Sequence, residues 1–133
     1  MPEFVGLSHV SLSVRDRNAS RAWYEEVLGF RMLEESNEDA YDEWILLHRQ
    51  TGVVLCLEQH KANRGEEFDP SRTGGDHVGF KVRNRAELED WERWFDKLAV
   101  DYTPTVDRAY GSVLCFKDPD RFQLELFYRE NHP

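Results

Sequence analysis

The chain has 133 residues, with 17 Lys and Arg against 26 Asp and Glu, a formal net charge of −9. That balance argues against nucleic acid and anionic membrane as partners, and no apolar run approaches the length of a membrane span. The length suits one domain of two small halves, each too small to be stable by itself.

The opening MPEFVGLSHV lacks a basic stretch followed by an apolar one, so no secretion signal is visible and a cytoplasmic location is expected. Phe4 to Val14 alternates and predicts a strand, with Val10, Leu12 and Val14 on one face and His9, Ser11 and Ser13 on the other. A helix follows, capped by Asn18 or Ser20, with Ala22, Trp23, Val27 and Leu28 on its apolar side and Gly29 as its stop. Phe30 to Glu35, Tyr41 to Arg49 and Val53 to Gln59 read as strands, the last two joined by a turn at Gln50-Thr51-Gly52. Cys56 falls in one of these strands and Cys115 in a later one, and both read as buried, reduced thiols.

Residues 60–74 are polar and long for a simple link, so they read either as a solvated linker or as a lid from which His60 and Arg72 reach a ligand. The plan then recurs. Gly75 to Arg83 is a strand, and Ala86 to Leu98 is a helix with Leu88, Trp91, Phe95 and Leu98 at helical spacing. Pro104 marks an edge strand or turn. Tyr110 to Lys117 and Phe122 to Arg129 close the chain as a hairpin turned by Asp118-Pro119-Asp120. The expectation is an α+β fold of two tandem βαβββ modules, 4–59 and 75–129, joined by the connector.

The recurrence is visible in the residues. His9 to Arg15 lines up with His77 to Arg83 at an offset of 68, and Tyr41 to Glu58 lies on Tyr110 to Phe127 at 69 without a gap. A duplicated unit puts equivalent positions around a pseudo-symmetry axis, so His9 and His77 are able to meet, with Glu125 as a third donor. On the last strand Leu124 and Leu126 oppose Gln123, Glu125 and Phe127, and on the fourth Leu55 and Leu57 oppose Val54, Cys56 and Glu58. The mixed faces suit a ligand-binding concavity. Two imidazoles and a carboxylate suit Fe, Mn, Ni or Zn as divalent ions and leave positions for substrate. The plainer reading of Glu125 is an ion pair with Lys117 or Arg121, and of Glu58 a rim salt bridge.

The stretches GLSHVSLSVRDRNASRAWYEEVLGF, GGDHVGFKV and GSVLCFKDPDRFQLELFY resemble the vicinal oxygen chelate superfamily, which includes glyoxalase I, fosfomycin and bleomycin resistance proteins and extradiol dioxygenases. The resemblance implies curved mixed sheets forming a cup around a divalent metal, with ligands His9, His77 and Glu125. It also implies a small-molecule substrate and a homodimer, in which His9 and the pair His77/Glu125 can come from different subunits. A glyoxalase I would carry a fourth, carboxylate ligand where this chain has Cys56; Glu58 stands two residues on, on the same face. Glu58 is the candidate general base, and Ser11, Trp44, Leu46, His48, Val54, Cys56, His60, Val113, Lys117 and Phe127 are the candidate pocket. The expected function is a glyoxalase-like enzyme whose metal stabilises an enolate or oxyanion; the alternatives are a non-catalytic antibiotic-type binder and an extradiol-type dioxygenase.

Overall fold

The computed structural model describes residues 1–131. They divide into two compact units that meet between Glu66 and Glu67, inside the connector. The first unit runs β1 (Val10–Ser13), α1 (Arg17–Leu28), β2 (Arg31–Asn37), β3 (Tyr41–His48) and β4 (Val53–His60). The second runs β5 (His77–Lys81), α2 (Ala86–Leu98), β6 (Tyr102–Arg108), β7 (Gly111–Lys117) and β8 (Gln123–Tyr128). Each unit holds one four-stranded mixed sheet, ordered β1-β4-β3-β2 and β5-β8-β7-β6. This is the βαβββ plan twice.

The first strand of each unit runs parallel to its last, and the pairs match across the repeat. Val10 sits opposite Leu55 and Ser11 opposite Cys56; Val78 sits opposite Leu124 and Gly79 opposite Glu125. Each helix covers the leucine-bearing face of its own sheet. In the first unit Val14, Tyr24, Leu28, Leu46, Leu55 and Leu57 are buried, and in the second Leu88, Phe95, Leu114, Phe116, Leu124 and Leu126. Phe95 anchors the second core, with ring contacts to Trp91, Tyr102 and Phe116. Burial of these side chains drives the fold, each contributing roughly 1.5–3 kcal/mol.

Local signals were partly displaced from where the sequence put them. The first strand begins at Val10 rather than Phe4, and Phe4 and Leu7 ahead of it are 91% and 84% exposed. The cap of α1 is Asp16, whose carboxylate accepts from the backbone N–H groups of Asn18 and Ala19. Asn18 instead accepts from the Trp44 indole at 2.8 Å, and Ser20 is buried. Gly29 ends the helix as expected, at φ 76° in the left-handed region. Pro104 lies on the edge strand β6, where the register breaks between Thr103 and Val106, as a residue without an N–H requires.

One difference matters for the site. The β3–β4 hairpin closes at His48–Val53, leaving residues 49–52 between the paired ends. The β7–β8 hairpin closes at Lys117–Gln123, leaving residues 118–122, one more. Asp118 accepts from the backbone N–H groups of Asp120 and Phe122, and the added length is absorbed by Arg121 at φ 68°. The ungapped repeat therefore holds from β4 to β8 but slips by one residue from β3 to β7. Ile45 corresponds to Cys115 and Glu43 to Val113. A one-residue slip moves every side chain to the other face.

Leu46 is accordingly a core residue with no exposure, opposite Leu55. Leu46→Ala is expected to cost about 2–5 kcal/mol in chemical denaturation. A loss below about 1 kcal/mol would put Leu46 back on the open face.

Candidate functional site

The second unit carries the better-formed half of the expected donor set. His77 opens β5 and Glu125 lies on the adjacent β8, where the parallel register sets them diagonally on the face turned away from α2. His77 Nε2 is 3.6 Å from Glu125 Oε2. Two donors on one ion, each at about 2.1 Å, stand roughly 3–3.5 Å apart, so the pair fits a shared divalent ion with little movement. The other ring nitrogen, Nδ1, is 2.7 Å from Asp76 Oδ1. That contact holds the His77 imidazole above its ordinary pKa; partial burial opposes the shift and Glu125 adds to it. Val113, Cys115, Lys117 and Phe127 share this face, Cys115 directly opposite Glu125 and Val113 opposite Phe127. Lys117 faces Gln123 in the register rather than Glu125, and Arg121 is paired with Asp101. Burial pushes the Cys115 thiol up to about 11, with Glu125 adding to it.

The open face of the first unit carries His9, Ser11, Val54, Cys56, Glu58 and His60. His9 lies just ahead of β1, its Nδ1 3.1 Å from Ser8 Oγ. Ser11 is opposite Cys56, and Ser13 and Glu43 flank Glu58 on either side. Glu58 Oε2 is 3.3 Å from His60 Nε2, and the His60 ring rests on Tyr41. Burial pushes the Cys56 thiol above its ordinary pKa, which favours the neutral wall residue over a thiolate.

Glu43 was missed by sequence reasoning. It is a half-buried carboxylate beside Cys56 and Glu58 on the open face. Its pKa is raised, first by burial and then by Glu58 and Glu38, with Cys56 and His9 pulling the other way. The signal was in the sequence, as alternation with Tyr41, Ile45 and Leu47, but the ungapped repeat set Glu43 out of step.

The same slip misplaced three expected pocket residues. Trp44, Leu46 and His48 lie on the helix side. Arg17 and Arg21 of α1 stack on the Trp44 ring. His48 packs against Phe30 and bonds Thr51 at 2.7 Å. The connector is tied at both ends: Asn63 donates to the Val14 carbonyl, and Phe68 donates to the Asp120 carbonyl and packs on Phe122. Arg72 pairs with Asp69 inside it. Among the described residues no three His, Cys, Asp or Glu side chains gather as a ready-made metal cluster, and no helix is long and apolar enough to cross a membrane.

Residues 6–126 match the Glyoxalase/Bleomycin resistance protein/Dioxygenase superfamily. The chain belongs to that family. Within it, the metallothiol transferase FosB of Staphylococcus saprophyticus is 29% identical over 139 residues, covering 96% of this chain and 85% of that protein. A glyoxylase/bleomycin resistance protein/dioxygenase domain from Frankia sp. EAN1pec has a TM-score of 0.89 at 31% identity, covering 96% of this chain and 100% of that one. A mutant FosX of Listeria monocytogenes, solved with Mn(II) and 1S,2S-dihydroxypropylphosphonic acid, shares the fold at a TM-score of 0.73 and 19% identity, covering 97% and 95% of the two chains.

The raised pKa of Glu43 has a thermodynamic sign. The folded protein holds its proton to higher pH than the unfolded chain, so stability is lost as pH rises through that window. Glu43→Gln is expected to raise the melting temperature at about pH 7 and to give no gain at about pH 3, below both values. Equal gains at both would show that the carboxylate is not destabilised in place.

Proposed function

We propose that the protein is a metal-dependent enzyme of this family acting on a small oxygen-bearing substrate, with His9, His77 and Glu125 as ligands of a divalent ion. The observation that carries this is the pairing of His77 Nε2 with Glu125 Oε2 at 3.6 Å, with Nδ1 already committed to Asp76. His9 would supply the remaining imidazole, from the same chain or from the second subunit of a homodimer. Such an ion, whether Fe, Mn, Ni or Zn, would act as a Lewis acid towards a substrate oxygen and ease the formation of an enolate or oxyanion.

The protein's own groups divide the remaining work. Glu58 and Glu43 face each other across the β3–β4 pair on the His9 face. Glu43 is held above its ordinary pKa, first by burial and then by Glu58, and Glu58 beside it is the carboxylate placed to act as general base. His60 beside Glu58 offers a route for that proton. Val113 and Phe127 supply the apolar wall, and Tyr110 stacks on Phe127 at its rim. Lys117 is a cation on the same face.

The test begins with metal content. Protein purified without chelator is expected to hold a stoichiometric divalent ion, and His9→Ala, His77→Ala and Glu125→Ala are each expected to lose it while keeping the fold by circular dichroism. Turnover is then sought with a hemithioacetal, an epoxide with a thiol, and a catechol. Glu58→Gln is expected to keep the metal and lower kcat on whichever substrate turns over by about 10²–10⁴-fold. A protein that binds these compounds tightly yet turns none over, with metal bound, would identify a binder instead of an enzyme.

A further inference from the structure

The two oxygens of Glu125 are treated differently by their surroundings. Oε1 lies 3.3 Å from the Gln123 Nε2 donor and 3.5 Å from the Cys115 thiol. Oε2 faces His77 Nε2. The β8 alternation puts Gln123 on the same face as Glu125, two residues away, and the antiparallel register sets Cys115 directly across. One oxygen is thus engaged by two donors, and the other is turned towards the imidazole.

His77 is treated in the same way. Its Nδ1 lies 2.7 Å from the Asp76 carboxylate, an acceptor that requires a proton on Nδ1 and leaves the Nε2 lone pair available. The first unit repeats the device with a weaker partner: the residue before His9 is Ser8, and its hydroxyl contacts His9 Nδ1 at 3.1 Å. A side chain one position ahead of each histidine therefore engages the ring nitrogen that points away from Nε2.

We propose that Asp76, Gln123 and Cys115 are positioning residues that present one nitrogen of His77 and one oxygen of Glu125 to a divalent ion, making Glu125 a ligand through Oε2 alone. This rests on His77 and Glu125 being ligands, as argued above. Hydrogen-bonded partners of this kind fix ring orientation and raise ligand basicity, and their loss typically weakens metal binding about 10–100-fold. Because Asp76 is charged and Ser8 is not, His77 is the more strongly supported of the two imidazoles.

The experiment measures Mn(II) affinity of the full chain from the EPR signal of the free ion, with thermal unfolding in chelator as the control for folding. Asp76→Ala and Gln123→Met are expected to weaken Mn(II) binding at least about tenfold, with metal-free melting temperatures near that of the unsubstituted protein. Asp76→Asn, which keeps an acceptor oxygen for Nδ1–H, is expected to recover part of the loss. Cys115→Ser keeps a donor and should bind more tightly than Cys115→Ala. Should Gln123→Met fail to fold, Asp76→Ala carries the test, since Asp76 is 64% exposed. His77→Ala separates the two ideas. If it binds Mn(II) as the unsubstituted protein does, or if the latter binds none, the ligand assignment fails and the positioning role falls with it. If His77→Ala abolishes binding while Asp76→Ala and Gln123→Met bind as the unsubstituted protein does, the positioning role alone is overturned.

Discussion

The parallel pairing of the first strand of each unit with its last is the constraint on which the rest depends. A parallel neighbour cannot be reached by a tight turn; here a helix and two further strands intervene, and the helix returns over one face of the sheet. That face becomes the core, and whatever alternates with it is turned away. Leu55 and Leu57, like Leu124 and Leu126, are committed to burial. Cys56, Glu58 and Glu125 stay on the opposite side because their neighbours cannot leave the core. The placing of these side chains on the open face is a by-product of hydrophobic register, fixed by the leucines between them.

This explains which parts of the molecule were legible in the sequence. The strand–helix–strand order, the two helices and the open-face placement of His77 and Glu125 follow from alternation within short strands, which needs no partner to be read. Residues whose face depends on a hairpin were harder. Trp44, Leu46 and His48 were expected in the pocket, and the ungapped repeat that sets them level with Val113, Cys115 and Lys117 holds only if the two hairpin turns are equal. The extra residue sits in a polar turn that no periodicity marks, and Arg121 in a left-handed conformation gives no compositional sign of it. Glu43 was lost for the same reason. The cap at Asp16 competed with two equally good capping residues, Asn18 and Ser20, and the choice was made by tertiary contacts: Asn18 is needed by the Trp44 indole.

The two open faces also differ in electrostatic character. In the first unit Glu43 and Glu58 lie together, with Glu38 near enough to raise the Glu43 pKa. In the second the corresponding positions are Val113 and Phe127, and Glu125 is surrounded by donors. On one shared sheet plan, one copy concentrates negative charge, and the other holds a single hydrogen-bonded carboxylate against an apolar wall. Equivalent backbone positions thus carry unlike side chains without any change in the sheet order.

The connector has a practical consequence. Asn63 is fastened to the Val14 carbonyl in the first unit, and Phe68 to Asp120 and Phe122 in the second, so only a few residues span the interval between these anchors. Arg64 is exposed within that interval. A tryptic cut there would fall between the two fastenings and leave each repeat's helix and four strands on one side of the break.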